Sequence, residues 1–462
     1  MRVTVGSTIR VENPSKELLK WCDENLKIKN PEYAKKVQMH FWVGSTPKML
    51  YLYETQGDSV ILPFGTLRDI LPMIQGCDKF TDFGEGHEVN YNCEIPLYGY
   101  QKQAVETMCT NHYGILQSPA GSGKTQMGIA MAARLGKRTL WLTHTVDLLN
   151  QSKARAEQYM DKSLIGTITA GKVNVGKGIT FATVQTMSKL DLAQYKYMWE
   201  TVVVDECHRV CHSPTQVTMF GKVLNSLSAR HKYGLSATVH RADGMIAATY
   251  AMLGQVVYTV PDEAVGDRVM KVGIKPIYTG IKTGRGCINT DGTINYTKLV
   301  EYLTKNEQRN AIIRDHLISA SGKSCLILSD RLEHLETLMC SLPDEMRANA
   351  VMISGKMTSK KGKADREQAL EDMRAGTKKY LFATYSLAKE GLDIPRLERL
   401  YLTTPQKDFA VITQSIGRIA RVFDGKEPPI CYDYVDDIGG LAKAFKKRCS
   451  TYKKNNCYFV GD

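Results

Sequence analysis

From residue 114 to residue 236 the chain alternates short, unbroken apolar runs with stretches of helical periodicity. The runs cover 114–117, 139–142, 179–182, 201–204 and 233–235. A run that is apolar at every position, and not at every second one, predicts a strand covered on both faces. Amphipathic stretches at 126–135 and 147–159 lie between them. Strand and helix in this rhythm predict a parallel sheet with helices on both sides.

The rhythm returns after residue 320, with apolar runs at 325–328, 350–353, 380–383, 400–402 and 430–432. The expected fold class is therefore α/β, with two parallel-sheet domains in tandem at 93–258 and 321–440. Between them, 259–320 holds Pro261, Gly280, Gly284 and Gly286 and reads as a linker with a helical lead-in. Residues 1–92 read as a small N-terminal α+β accessory domain. Its clearest element is a hairpin, in which 49–55 and 59–63 flank Gln56-Gly57-Asp58. Trp21, Phe41 and Trp42 are expected to pack a small core there, with stacking on bases as their other use. Residues 441–462 read as a basic tail, crowded with Lys443, Lys446, Lys447, Arg448, Lys453 and Lys454.

A length of 462 residues exceeds what one core serves, in keeping with several domains. Apolar and charged fractions of 43% and 24% are those of an ordinary globular protein. No run has the apolar length of a membrane span, and the first residues lack the apolar stretch of a signal peptide. An intracellular protein, cytoplasmic or nucleoid-associated, is expected. Twelve cysteines without a paired framework suit reduced thiols. The net charge of +13 is compatible with a polyanionic partner and points to it only weakly.

Chemistry enters with Ser118-Pro119-Ala120-Gly121-Ser122-Gly123-Lys124-Thr125, between the first buried run and a helical stretch. Gly121 and Gly123 let backbone N–H groups around Ser122 approach phosphate oxygens at a helix N-terminus. Lys124 would reach the β- and γ-phosphates and the Thr125 hydroxyl would ligate Mg²⁺. Ser118 stands where the strict pattern has Gly. Further on, an apolar run ends in Asp205-Glu206. Asp205 would hold Mg²⁺ and Glu206 would orient and deprotonate the attacking water. The run Cys207-His208-Arg209-Val210-Cys211-His212 contains potential zinc ligands, but no second ligand pair follows it. Arg418 and Arg421 are spaced to share one face of a helix and could place positive charge on a γ-phosphate.

Together these residues resemble the superfamily 2 helicases, the DEAD/DEAH-like class, over about 95–437 and in the family's order. Tyr100-Gln101 is similar to the adenine-reading glutamine, and Asp205-Glu206-Cys207-His208 to motif II in its DExH form. Ser236-Ala237-Thr238 resembles motif III and Ser329-Asp330-Arg331 motif IV. Gly391-Leu392-Asp393-Ile394-Pro395 resembles motif V, and Gln414 to Arg421 motif VI. The stretches 235–244 and 325–335 are most like the XPB-like and UvsW-like branch, with phage recombination and poxvirus-type helicases. Val239-His240 departs from that branch's usual residues.

The resemblance implies two RecA-like domains and an ATP site shared between them. It makes Gln101, His208, Gly391, Asp393 and Gln414 nucleotide-site residues, with Asp393 near the ribose and His208 a link to motif VI. Arg418 and Arg421 would act as fingers across the cleft. Contacts to nucleic-acid backbone are expected at Thr143, His144, Gly166, Thr183, Gln185, Gly355, Lys356 and Thr384. The implied activity is an ATP- and Mg²⁺-dependent monomeric helicase or translocase working on DNA in preference to RNA. The alternatives are an RNA helicase, the translocating subunit of a restriction-type complex, and a binding scaffold without hydrolysis.

Overall fold

The computed structural model describes all residues except 120, 212, 240–243, 267–268, 283–284, 290–292, 356, 358, 390–391 and 462. Two of the expected site residues, Lys356 and Gly391, lie outside the described residues. The chain divides into two compact units, one comprising Met1–Pro119 and Gly123–Ala264 and the other Ala120–Ser122 and Val265–Asp462.

In the first unit an eight-stranded sheet is built around the four neighbouring strands Thr139–Thr143, Thr201–Asp205, His231–Ser236 and Tyr113–Gln117. These pair in parallel and are buried almost throughout, as runs apolar at every position require. Their side chains and the flanking helices form one core that includes Ile115, Leu140, Val202, Val204, Phe220 and Leu253. The C-terminal ends of Tyr113–Gln117 and Thr201–Asp205 open on the same edge, with His231–Ser236 between them. That edge is where open α/β sheets carry their ligands.

The accessory portion has its own five-stranded sheet, in which Arg2–Val5 lies between Thr8–Glu12 and Asp78–Thr81. The expected hairpin is present in shortened form, Glu54–Gln56 against Ser59–Pro63. Met49–Tyr51 leaves it to pair with Lys27–Lys29. Trp21 packs on the accessory core as expected. Phe41 and Trp42 do not; both face solvent.

The second unit contains a seven-stranded sheet, parallel throughout, with Tyr380–Thr384, Cys325–Ser329, Arg399–Leu402 and Ile430–Val435 as neighbours in part of its order. Two segments differ from expectation. The stretch read as linker supplies the strand Gly273–Tyr278, which pairs with Ile430–Val435. Its mixed polarity, with Lys275 and Pro276, hides it from a search for unbroken apolar runs. The stretch read as a basic tail is the helix Gly439–Lys454 followed by the edge strand Tyr458–Phe459. Arg448 of this helix is buried and bonded to Asp433 at 2.8 Å, and Tyr452 shares the same carboxylate at 2.6 Å. One of its cations is therefore structural.

Candidate active site

In the first unit, Tyr113–Gln117 runs into the glycine-rich loop and the loop into the helix Lys124–Leu135. Gly121 and Gly123 both take φ of 83°, a region that favours glycine. A Cβ on Gly123 would also stand 2.5 Å from the Gln101 amide nitrogen. A loop of this shape running into a helix N-terminus is an anion-binding arrangement. Ser118 is buried and its N–H donates to the Ser236 carbonyl at 2.9 Å. Lys124 Nζ lies back over the loop, 3.4 Å from the Ser118 carbonyl. Gln101 is buried beside the loop, and its side-chain oxygen accepts the Tyr98 N–H at 3.0 Å in a helix capping box.

Asp205 closes the strand Thr201–Asp205 and is buried. Ser152 Oγ donates to its Oδ2 at 3.1 Å, and the Glu206 N–H to its Oδ1 at 2.9 Å. Burial and the adjacent Glu206 charge push this carboxyl up to about 6, while Lys124 pulls it down. A buried carboxylate offers the hard oxygen donor Mg²⁺ takes, so Asp205 fits that ion, and the Thr125 hydroxyl at the start of the helix is of the same donor type.

Glu206 sits in the left-handed region, with φ of 50°. Its Oε2 lies 3.2 Å from His208 Nδ1, which is also 3.1 Å from Ser236 Oγ. The Ser236 hydroxyl donates to the Thr238 carbonyl at 2.7 Å, and its oxygen accepts the Thr238 N–H at 3.1 Å. With the only hydroxyl proton directed to Thr238, Nδ1 is the donor to Ser236. His208 thereby joins the strand end that carries Glu206 to the turn after His231–Ser236. Cys207 and Cys211 are core thiols, and His212 lies outside the described residues.

In the second unit, Gln414 and Arg418 lie on the helix Phe409–Ile419. The expectation that Arg421 shares this helix fails. Ala420 caps it, and Arg421 forms an isolated antiparallel bridge with Val269. Arg421 is ion-paired with Asp393, and Arg418 Nη1 donates to the Leu392 carbonyl at 3.0 Å. Gln414 is buried and its Oε1 has no hydrogen-bond partner among the described residues. Lys426 fastens the arrangement, donating to the carbonyls of Ile419 and Arg421 at 2.7 Å and of Pro395 at 3.1 Å. Burial pulls its pKa down to about 8. Sequence reading missed both Lys426 and Ser152, because a lysine after a helix and a serine within one carry no pattern of their own.

The expected nucleic-acid residues divide. Thr143 and Thr183 turn their hydroxyls inward, to the Thr145 carbonyl at 3.0 Å and to Thr186 Oγ1 at 2.9 Å, and both are buried. Their side chains are tied up in local hydrogen bonds. Gly166 is buried in its strand, where a Cβ would fall on the backbone of Asn174 and Gly176. Its smallness serves packing. Gln185 donates to the His144 carbonyl at 2.8 Å and so ties two strand-end loops together. Gly355 and Thr384, by contrast, line an open groove of about 770 Å³ in the second unit, with Lys305, Asp330, Arg331 and Ser386.

A glycine-shaped phosphate loop, a buried acid pair and a second parallel-sheet unit bearing arginines define a two-domain, helicase-type ATPase. Comparison with known proteins agrees. The family described as Type III restriction enzyme, res subunit, matches residues 94–241, and the helicase conserved C-terminal domain matches 307–423. Probable helicase D10 of Escherichia phage T5 is 25% identical over 74% of this chain and 72% of its own length. DNA 3'-5' translocase XPB2 of Sulfurisphaera tokodaii is 24% identical over 72% of this chain and 80% of its own length. Among solved structures, S. cerevisiae Dbp5 bound to RNA and ADP BeF3 has a TM-score of 0.56 at 17% identity, covering 86% of this chain and 94% of that one.

The chain belongs to the superfamily 2 helicases and is a nucleic-acid-dependent ATPase, with an XPB-type translocase among its relatives. Enzymes of this superfamily use ATP, usually with Mg²⁺. Among the described residues no helix is long and apolar enough to cross a membrane.

Proposed function

We propose that the chain is an ATP-driven DNA helicase or translocase that remodels or unwinds duplex or branched DNA. The observation that carries the reading is the buried network joining Asp205, Glu206, His208 and Ser236, which supports hydrolysis coupled to movement of the chain. Lys124 would hold the phosphates, Thr125 and Asp205 would hold Mg²⁺, and Gln101 would adjoin the base. When bound, the ion neutralises charge on the phosphate oxygens. Glu206 takes a proton from the water that attacks the γ-phosphorus, the bond to the ADP oxygen breaks, and ADP leaves. Arg418 and Arg421 stabilise the charge on the transferring group, and their release after hydrolysis lets the two halves step along one strand. The DNA preference is supported by the relative named as a DNA translocase.

A second reading, an RNA helicase or the motor of a restriction-type complex, is favoured by the RNA-bound structural neighbour and by the first family's description. Stimulation of ATP hydrolysis by single-stranded DNA, forks, four-way junctions, duplex and RNA separates the two. Greatest stimulation by RNA, with none by DNA, would reverse the proposal.

A further inference from the structure

The accessory portion carries a segment that the ATPase does not use. Residues 39–48 follow the helix Pro31–Gln38, and the segment is tied at both ends. At its entry the Phe41 N–H donates to the Lys36 carbonyl at 2.8 Å. At its exit the buried Asn30 donates from its side chain to the Pro47 carbonyl at 2.8 Å and from its backbone to Lys48 at 3.1 Å. Lys36 Nζ reaches across to Thr46 Oγ1 at 2.6 Å. A loop held in this way has a defined shape, yet it turns its rings outward, Trp42 being 88% exposed and Phe41 64%. The indole lies across Gly44, where a Cβ would stand 2.7 Å from the ring.

Charge narrows the choice of partner. From residue 27 to residue 48 the chain carries Lys27, Lys29, Lys35, Lys36 and Lys48 against Glu32 alone. Glu32 is paired with Lys36, and Lys27 with Asp23. Lys29, Lys35 and Lys48 have no ion pair among the described residues. Exposed rings in a segment that carries such lysines suit a ligand with flat apolar faces and evenly spaced negative charge. A single nucleic-acid strand has both, whereas the bases of a duplex are already stacked on one another.

We propose that Phe41 and Trp42, flanked by Lys29, Lys35 and Lys48, form a platform on which unstacked bases of a single strand sit. The proposal rests on reading the chain as a nucleic-acid motor. Ile28 and Leu50, in the neighbouring strand pair, pack on the core of the first α/β domain, so the loop is joined to the motor body and not to a loose appendage.

Intrinsic fluorescence gives the test. Trp141 and Trp199 are in the core and Trp21 is partly buried, so quenching by an added strand reports chiefly Trp42. The full chain is titrated with oligo(dT), oligo(rU) and blunt duplex. Quenching by the single strands is expected, with weak quenching by the duplex. Trp42→Ala is expected to weaken single-strand binding, read by anisotropy, by about 5- to 100-fold, and Trp42→Phe to recover most of the loss. Unchanged affinity in Trp42→Ala, or equal quenching by duplex, overturns the platform; so does a protein ligand whose binding Trp42→Ala removes while strand affinity stays intact. Wild-type ATP hydrolysis with the same strands tests the motor separately. Stimulated hydrolysis with unaltered Trp42→Ala affinity removes the platform alone, and strand binding that needs Trp42 without any hydrolysis removes the motor alone.

Discussion

The candidate site residues of the two units are held by opposite means. In the first unit, the buried Asp205 and His208 are set by hydrogen bonds to the neutral partners Ser152 and Ser236. In the second, Arg421 is held by Asp393 in a pair whose side chains are 26% and 41% exposed. A buried hydrogen-bonded network has little competition from water and stays preorganised. A half-exposed ion pair is worth roughly 0–1 kcal/mol and yields to a stronger anion. The contrast teaches that the acid side is fixed by its burial, whereas the arginine side is held by a pair weak enough to be exchanged.

The sharpest way to break this comparison is Arg421→Ala. If Arg421 leaves Asp393 for the γ-phosphate, kcat of polynucleotide-stimulated ATP hydrolysis falls by about 10³- to 10⁵-fold. Full activity would leave the arginine a mere structural partner of Asp393. Ser152→Ala comes next. Loss of a hydrogen bond to a charged group costs about 1.5–3 kcal/mol, or ten- to hundredfold, in a Mg²⁺ titration of turnover. An unaltered titration would show that Asp205 needs no second support.

The pH profile sharpens the contrast further. Asp205 works as a carboxylate, so kcat/KM rises as pH passes about 6. Lys426 works as an ammonium that fastens the arginine loop, so kcat/KM falls as pH passes about 8. Each limb approaches about tenfold per pH unit where its group is essential. Lys426→Arg should move the alkaline limb upward and leave the acid limb in place; an unmoved alkaline limb removes Lys426 from the account. The smallest effect belongs to Asp393→Asn. Freeing Arg421 from a weak pair should raise turnover without nucleic acid by about fivefold at most. A fall instead would point to a direct role for Asp393 at the nucleotide.

Much of this was legible before any coordinates. The strands 114–117 and 201–204 announced themselves by unbroken apolar runs, and the motif residues stand at their ends as expected. Gly273–Tyr278 escaped because Lys275 and Pro276 interrupt its pattern, and only its pairing with Ile430–Val435 makes it a strand. Phe41 and Trp42 escaped for the opposite reason: aromatic residues default to a core, and composition cannot say which way a ring points. Thr143 and Thr183 sit where hydroxyls could reach phosphate, and neighbouring backbone and side-chain oxygens hold them inward instead.

The sequence by itself determined the class of chemistry. A glycine-rich loop, an acid pair after a buried strand and a distant arginine pair are local strings, and each carries its physical purpose in its own spacing. Tertiary structure alone decided which partner holds each group. Ser152 reaches Asp205, Lys426 reaches Pro395, and His208 reaches Ser236. Those partners are distant in sequence, and the bonds between them depend on how sheet edges and helix ends meet, which no local pattern encodes.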